Sequence, residues 1–231
     1  MTAGEVTQAE KDGAEKYSRA VLAAYDTFVL KWSNTYAWRC PRERLLTHYN
    51  THLRGRHLDI GPGTGWYLHQ ATYPSTPPEI TLMDLNTNTM AMTTSRLADR
   101  NITPGVHTGS ILAPIDPAVG VFDSVAANFV FHCVPGTWAQ KGTAFGRIAQ
   151  VVADDGVFFG STILGTGVRH NLFGRALCAL YNGPIKALNN TADDEDGLRT
   201  ALSSAFEDVE ITVIGTVAVF AARRPRRTTA S

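Results

Sequence analysis

Cysteine is scarce in this chain of 231 residues: only Cys40, Cys133 and Cys178, an odd number set far apart. Such spacing makes neither a disulfide framework nor a metal-ligand pattern, so no metal is expected and a reducing, cytoplasmic setting is. An excess of either charge is missing too. Lys plus Arg total 21 and Asp plus Glu total 21, and a balanced chain lacks the basic field that grips phosphate backbones, so nucleic acid is not expected as a partner. There is no run of about 18 apolar residues to span a membrane. Residues 1–16 are polar and lack the apolar stretch of a secretion signal. Disorder is excluded by content, since 44% of residues are hydrophobic and 18% charged, enough for a buried core. What remains is a soluble α/β protein, monomer or homodimer, with a small molecule as partner.

Residues 1–13 read as a flexible tail. From 14 to about 30 the apolar spacing is helical, with Tyr17, Val21, Leu22, Tyr25 and Phe28 on one stripe. Asn34 and Pro41 punctuate, and Arg42–His52 reads as a second helix, so that 14–54 forms a helical lid. Strands are expected at Arg56–Ile60, Glu79–Asp84, Gly105–Thr108, Phe122–Asn128 and 156–161. Helices are expected from Gly65 onward, at 87–100, at 142–152 and at 171–181. Alternation of this kind argues for a parallel sheet with helices on both faces. The runs 209–213 and 216–222 are joined too closely for a crossover and must form an antiparallel hairpin. A single domain follows: lid 14–54, core 55–222 with a second cover at 164–190, and a basic tail 223–231 read as a solvated end.

The first strand runs into His57-Leu58-Asp59-Ile60-Gly61-Pro62-Gly63-Thr64-Gly65. Glycines at 61, 63 and 65 allow a tight turn and close backbone approach to a ligand. The next helix aims its first N–H groups at the same crevice. A dinucleotide fingerprint would be G-x-G-x-x-G; here the spacing is G-x-G-x-G, with Asp59 two residues ahead. An acidic residue there suits a ligand bearing an ammonium group and repels a pyrophosphate.

This stretch resembles motif I of the class I S-adenosylmethionine-dependent methyltransferases, and the resemblance runs from about Leu58 to Phe220. It implies a Rossmann-like, seven-stranded, mostly parallel sheet ending in an antiparallel hairpin, with S-adenosylmethionine as cofactor. Asp84, ending the second strand, then takes the ribose hydroxyls, and Leu85 lies against the adenine. Ser110, followed by Ile111, stands where the family often has an acid facing the adenine amino group. Asn128 ends the fourth strand beside the cofactor. Tyr25-Asp26, Asn34 and Trp38-Arg39 resemble the lead-in of the ubiquinone and menaquinone methyltransferases. That implies helices folded over the cofactor, with Tyr25 reaching it, while the quinone substrate does not transfer.

Methyl transfer to a hydroxyl needs in-line alignment, exclusion of water and loss of a proton. His132, after the fourth strand, is the candidate general base. Tyr36 and Trp38 in the lid, with Arg169 and His170 after the fifth strand, are the candidate substrate contacts. Asn128-Phe129-Val130-Phe131 lacks the prolines of the [DN]-P-P-[YF] motif, which argues against a nucleobase or glutamine amide as target. The expected function is methylation of a small metabolite in biosynthesis. A non-methylating reaction on the same scaffold, such as a cyclisation, stays open.

Overall fold

Seven strands share one sheet in a computed structural model that describes residues 26–227. They are β1 (Arg56–Ile60), β2 (Glu79–Asp84), β3 (Gly105–Thr108), β4 (Phe122–Asn128), β5 (Val152–Ile163), β6 (Phe206–Ile214) and β7 (Val217–Pro225). Their order is β3-β2-β1-β4-β5-β7-β6. Only β7 runs against its neighbours, as the short connection at Gly215 requires. The chain leaves β1 toward β2 and later returns to the other side of β1 with β4. The strand order therefore reverses at the carboxyl end of β1, where open α/β sheets bind ligands.

Strand β5 shows how the sheet is secured. Alternate residues point to opposite faces, and from 156 to 163 all are buried. Val157 and Phe159 join Tyr49, Leu68 and Leu97 on one face, while Phe158 packs with Phe145, Phe206 and Phe220 on the other. Helices α1 (Arg42–His52), α2 (Trp66–Gln70) and α3 (Thr87–Ala98) supply the first of these layers. The second comes from α4 (Trp138–Lys141), α5 (Thr143–Ala149) and α7 (Glu195–Ala205), with α6 (Leu172–Asn182) lying outside the sheet.

Several elements differ from expectation. The helix expected over 14–30 lies mostly outside the described residues, as do the tail 1–13 and Tyr25. From Asp26 to Ala37 the chain is a π-helix, which runs through Asn34 because wide-turn bonds such as Trp38 N–H to the Ser33 carbonyl replace ordinary ones. The helix expected at 142–152 starts earlier and is broken in two. Thr137 and Gln140 form a capping box that nucleates α4, and α5 restarts after Gly142. Helix α7 was not anticipated, although Asp194 caps it and Glu195 and Asp196 occupy its first turn.

The basic tail is not a solvated end as far as it is described. Arg223 and Arg224 belong to β7 and pair with Glu210 and Asp208. The Arg227 guanidinium donates to the carbonyls of Ala149, Gln150 and Val152 and to Asp154. Among the described residues no helix is long and apolar enough to cross a membrane.

Candidate functional site

The turn after β1 is held against its neighbours by backbone bonds, from Gly61 N–H to the Met83 carbonyl (2.8 Å) and from Gly65 N–H to the Pro62 carbonyl (2.9 Å). Gly61, Gly63 and Gly65 all have left-handed backbones, with φ of 63°, 60° and 71°, which side chains disfavour. Their surroundings differ. A Cβ on Gly61 would lie 2.7 Å from Val130 Cγ2, and one on Gly65 would lie 2.7 Å from Thr93 Cγ2 and 3.1 Å from its Cα. A Cβ on Gly63 would meet no protein atom within 4 Å. The first and third glycines are thus required by packing, and the middle one borders open space. That space is an open cleft lined by Asp59, Gly61, Pro62, Gly63, Thr64, Trp66, Tyr67, Asn128 and Phe129.

Of the expected cofactor residues, Asp59, Gly61, Gly63 and Asn128 line this cleft, and Asp84, Leu85, Ser110 and Ile111 lie at or after the carboxyl ends of the neighbouring parallel strands β2 and β3. Asp84 ends β2, with its backbone paired to Thr108 of β3. Its Oδ1 accepts from Asn86 N–H (2.9 Å) and its Oδ2 from the Thr89 hydroxyl (2.7 Å). Burial raises its pKa against the opposing effect of these bonds. The Leu85 N–H also bonds this carboxylate, and one lone pair is left for a ligand. Leu85 follows, half-buried, and Ser110 and Ile111 are buried after β3. Ser110 Oγ also accepts from Leu112 N–H (3.0 Å). Asn128 Oδ1 accepts from the Ser161 hydroxyl (3.0 Å), while its buried Nδ2 has no hydrogen-bond partner among the described residues. Turning the amide over exchanges the two atoms, so in either setting one polar atom is left for a ligand.

Phe129, missed by sequence reasoning, lines the cleft with φ of +57°. That is an outlier for so bulky a side chain and a mark of functional sites. Trp66 and Tyr67 were missed as well; their signal was their place directly after the third glycine.

His132 follows β4, as expected. It is 5% exposed, edge-on to Phe129 at 5.6 Å. Its Nδ1 accepts from Ile163 N–H (3.3 Å). With that lone pair in use, the neutral ring carries its proton on Nε2 and is a donor. Burial, reinforced by the charge of Lys141, lowers its pKa to about 3. The imidazole is therefore neutral at pH 7, and a pKa so far below neutrality makes it a hydrogen-bond donor through Nε2 and a weak acceptor of protons.

The same shift bears on stability. The unfolded chain takes up a proton near pH 6.5 that the folded chain refuses until about pH 3, so this contribution is complete above pH 6.5 and is lost as pH falls. Stability in urea should decline more steeply between pH 6.5 and 4 in the parent than in His132→Gln. Parallel declines would dismiss the effect.

The two covers do meet. Asn171 Nδ2 donates to the Tyr36 carbonyl (2.7 Å), and the Arg39 guanidinium donates to the Arg169 carbonyl. Trp38 is 2% exposed and edge-on to His170 at 6.3 Å, and His170 Nε2 bonds the Leu164 carbonyl (2.9 Å). Trp38 and His170 thus knit the seam between cover and core. Tyr36 and Arg169 are exposed at its rim. Among the described residues no cluster of three His, Cys, Asp or Glu side chains could hold a metal ion.

Residues 58–160 match the methyltransferase domain family. A physcion biosynthesis cluster O-methyltransferase of Aspergillus chevalieri is 39% identical over 219 residues, covering 93% of this chain and 96% of that protein. A demethylluteothin O-methyltransferase of Streptomyces thioluteus is 36% identical over 91% of this chain and 90% of its own length. Among solved structures, the N-methyltransferase NodS of Bradyrhizobium japonicum WM9, bound to S-adenosylhomocysteine, superposes with a TM-score of 0.62 at 14% identity. The match covers 93% of this chain and all of that one.

Proposed function

Since the chain belongs to the S-adenosylmethionine-dependent methyltransferases, we propose that it methylates an acidic hydroxyl, a phenol or an enol, on a small metabolite. The observation that carries this reading is His132: with Nδ1 occupied, it offers a donor and no base. A substrate whose oxygen ionises unaided near neutral pH needs no base, and a donor steadies its anion. The relatives named above as O-methyltransferases support oxygen as the acceptor.

When bound, the cofactor supplies an electrophilic methyl on a positively charged sulfur. The residues present fit it. Gly63 leaves room for close backbone approach, Asp59 offers a carboxylate, and Asn128 has a polar atom to spare. Asp84 accepts from the ribose, and Leu85, Ser110 and Ile111 form the adenine side. The covers carrying Tyr36 and Arg169 exclude water and receive the substrate. All of these groups come from one chain, so the proposed site is complete in a monomer and in either half of a homodimer, and a cytoplasmic setting is part of the same reading.

Labelled S-adenosylmethionine offered with phenols, enols, carboxylates and amines tests the reading. Label should pass to acidic hydroxyls, with a pH–rate limb that moves with the pKa of each substrate. His132→Ala should lower kcat by about tenfold, well short of the 10²–10⁴ of a lost base. A limb fixed near pH 6.5 for every substrate and absent from the variant, or label passing only to amines, would sink it.

Asp84→Ala should weaken S-adenosylhomocysteine binding at least about tenfold, as expected for loss of a charged acceptor. It should also lower the melting temperature, since Asn86 and Thr89 lose their acceptor. Calorimetry and thermal unfolding check both effects. Unchanged affinity in the folded variant would remove Asp84 from the site.

A further inference from the structure

A buried line of polar groups ends on Asp59 and has no role in the reading so far. Tyr49, on α1, is fully buried, as are His57 on β1 and Ser124 on β4. The Tyr49 hydroxyl lies 2.6 Å from Asp59 Oδ2 and 2.9 Å from His57 Nε2. His57 Nδ1 is 2.8 Å from Ser124 Oγ, and Ser124 Oγ accepts from Arg54 N–H (2.9 Å). The protons can be assigned along the whole line. An ionised Asp59 can only accept, so Tyr49 donates to it and must itself accept from His57 Nε2–H. His57 Nδ1 then accepts from the Ser124 hydroxyl. With the imidazole neutral and Asp59 ionised, every donor points toward Asp59.

Asp59 lines the cleft. Its Oδ2 is taken by Tyr49, while its Oδ1 makes no hydrogen bond among the described residues. We propose that Tyr49, held by His57 and Ser124, is a positioning residue that fixes the Asp59 carboxylate with one oxygen left to receive the ammonium group of S-adenosylmethionine. This rests on the reading of the cleft as the cofactor site. The ring of Tyr49 is part of the device, since it stacks on Tyr67 in the cleft wall at 5.6 Å and 12° and cannot swing without disturbing that wall. A carboxylate held in one rotamer loses no freedom when the ammonium arrives, which is the physical content of preorganisation.

The test compares two ligands by calorimetry. S-adenosylhomocysteine carries the ammonium group, and 5′-methylthioadenosine shares its nucleoside and sulfur but has no amino acid portion. Tyr49→Phe should weaken the first about tenfold, in the range for a hydrogen bond to a charged group, and leave the second within about twofold. In an Asp59→Asn background, Tyr49→Phe should add nothing. Equal losses for both ligands would mean a structural role, and no loss for either would mean no role; each overturns the proposal. Ser124→Ala probes the line from its far end, with the same selectivity expected, should Tyr49→Phe fail to fold. Asp59→Ala separates the two levels of inference. If it spares S-adenosylhomocysteine binding, the reading of Asp59 fails. If it weakens that ligand alone and Tyr49→Phe does not, only the positioning role of Tyr49 fails.

Discussion

Valine at Gly63 should give a folded protein that no longer binds S-adenosylhomocysteine, whereas alanine at Gly65 should damage the fold. Both positions have left-handed backbones, so any side chain costs about 1–2 kcal/mol at either one. Beyond that shared cost their environments separate them. At Gly65 the new Cβ strikes Thr93, including its Cα at 3.1 Å, and backbone cannot step aside as the tip of a flexible side chain can. Overpacking of this kind adds about 1–3 kcal/mol. At Gly63 the new Cβ enters the cleft and meets no protein atom within 4 Å, so its effect falls on the ligand. Alanine at Gly63 should weaken affinity at least about tenfold, a loss of about 1.4 kcal/mol or more, and valine should abolish binding. Thermal unfolding and calorimetry on the three variants check this. A Gly63→Val protein that binds like the parent would remove the turn from the site.

Strands β1 to β4 were legible in the sequence to the residue, because each is a short apolar run stopped by glycine, proline or asparagine. The convergence of Asp59, Asp84 and Asn128 followed from the same reading, since parallel strands leave their carboxyl ends on one edge. What was not legible depends on partners remote in sequence. The proton on His132 is set by the backbone of Ile163, 31 residues away. Arg227 is ordered by carbonyls at 149, 150 and 152, which no local pattern announces. Helix α1 could be read from its periodicity, but not that Tyr49 turns its hydroxyl onto Asp59. Phe129 gave no local sign of its left-handed backbone, because the carbonyl that accepts its N–H belongs to Ser161, remote in sequence. Local pattern thus yields elements and edges, and tertiary partners assign protons and strained conformers.

Methionine at Lys141 should cost about 3–5 kcal/mol of stability, as removal of one partner from a buried ion pair does. Lys141 is fully buried at the end of α4, and its Nζ donates to Asp193 Oδ2 (2.5 Å) and to the carbonyls of Asn189 (3.1 Å) and Phe131 (3.2 Å). Burial draws both partners toward neutrality, lowering the pKa of Lys141 and raising that of Asp193 to about 6. The contact therefore survives at pH 7 because each charge answers the other. Without the ammonium, the Asp193 carboxylate is left in a dry pocket, and its Oδ1 already lacks a hydrogen-bond partner among the described residues. Substituting both residues, as Lys141→Met with Asp193→Leu, should recover much of the loss, since an apolar pair of similar volume leaves no orphaned charge. The consequence reaches the reaction. Asn189 N–H donates to the His132 carbonyl (2.7 Å), and the backbone of Asp193 accepts from Gly165 and Thr166, so one cluster ties the loop bearing His132 to the chain that leaves β5. The folded fraction of Lys141→Met should accordingly show a lower kcat with little change in S-adenosylhomocysteine affinity, because the cofactor turn lies on other elements. Urea unfolding of the single and double variants at pH 7, with kinetics on the same samples, decides it. A single variant as stable and as active as the parent would leave Lys141 without the part assigned to it.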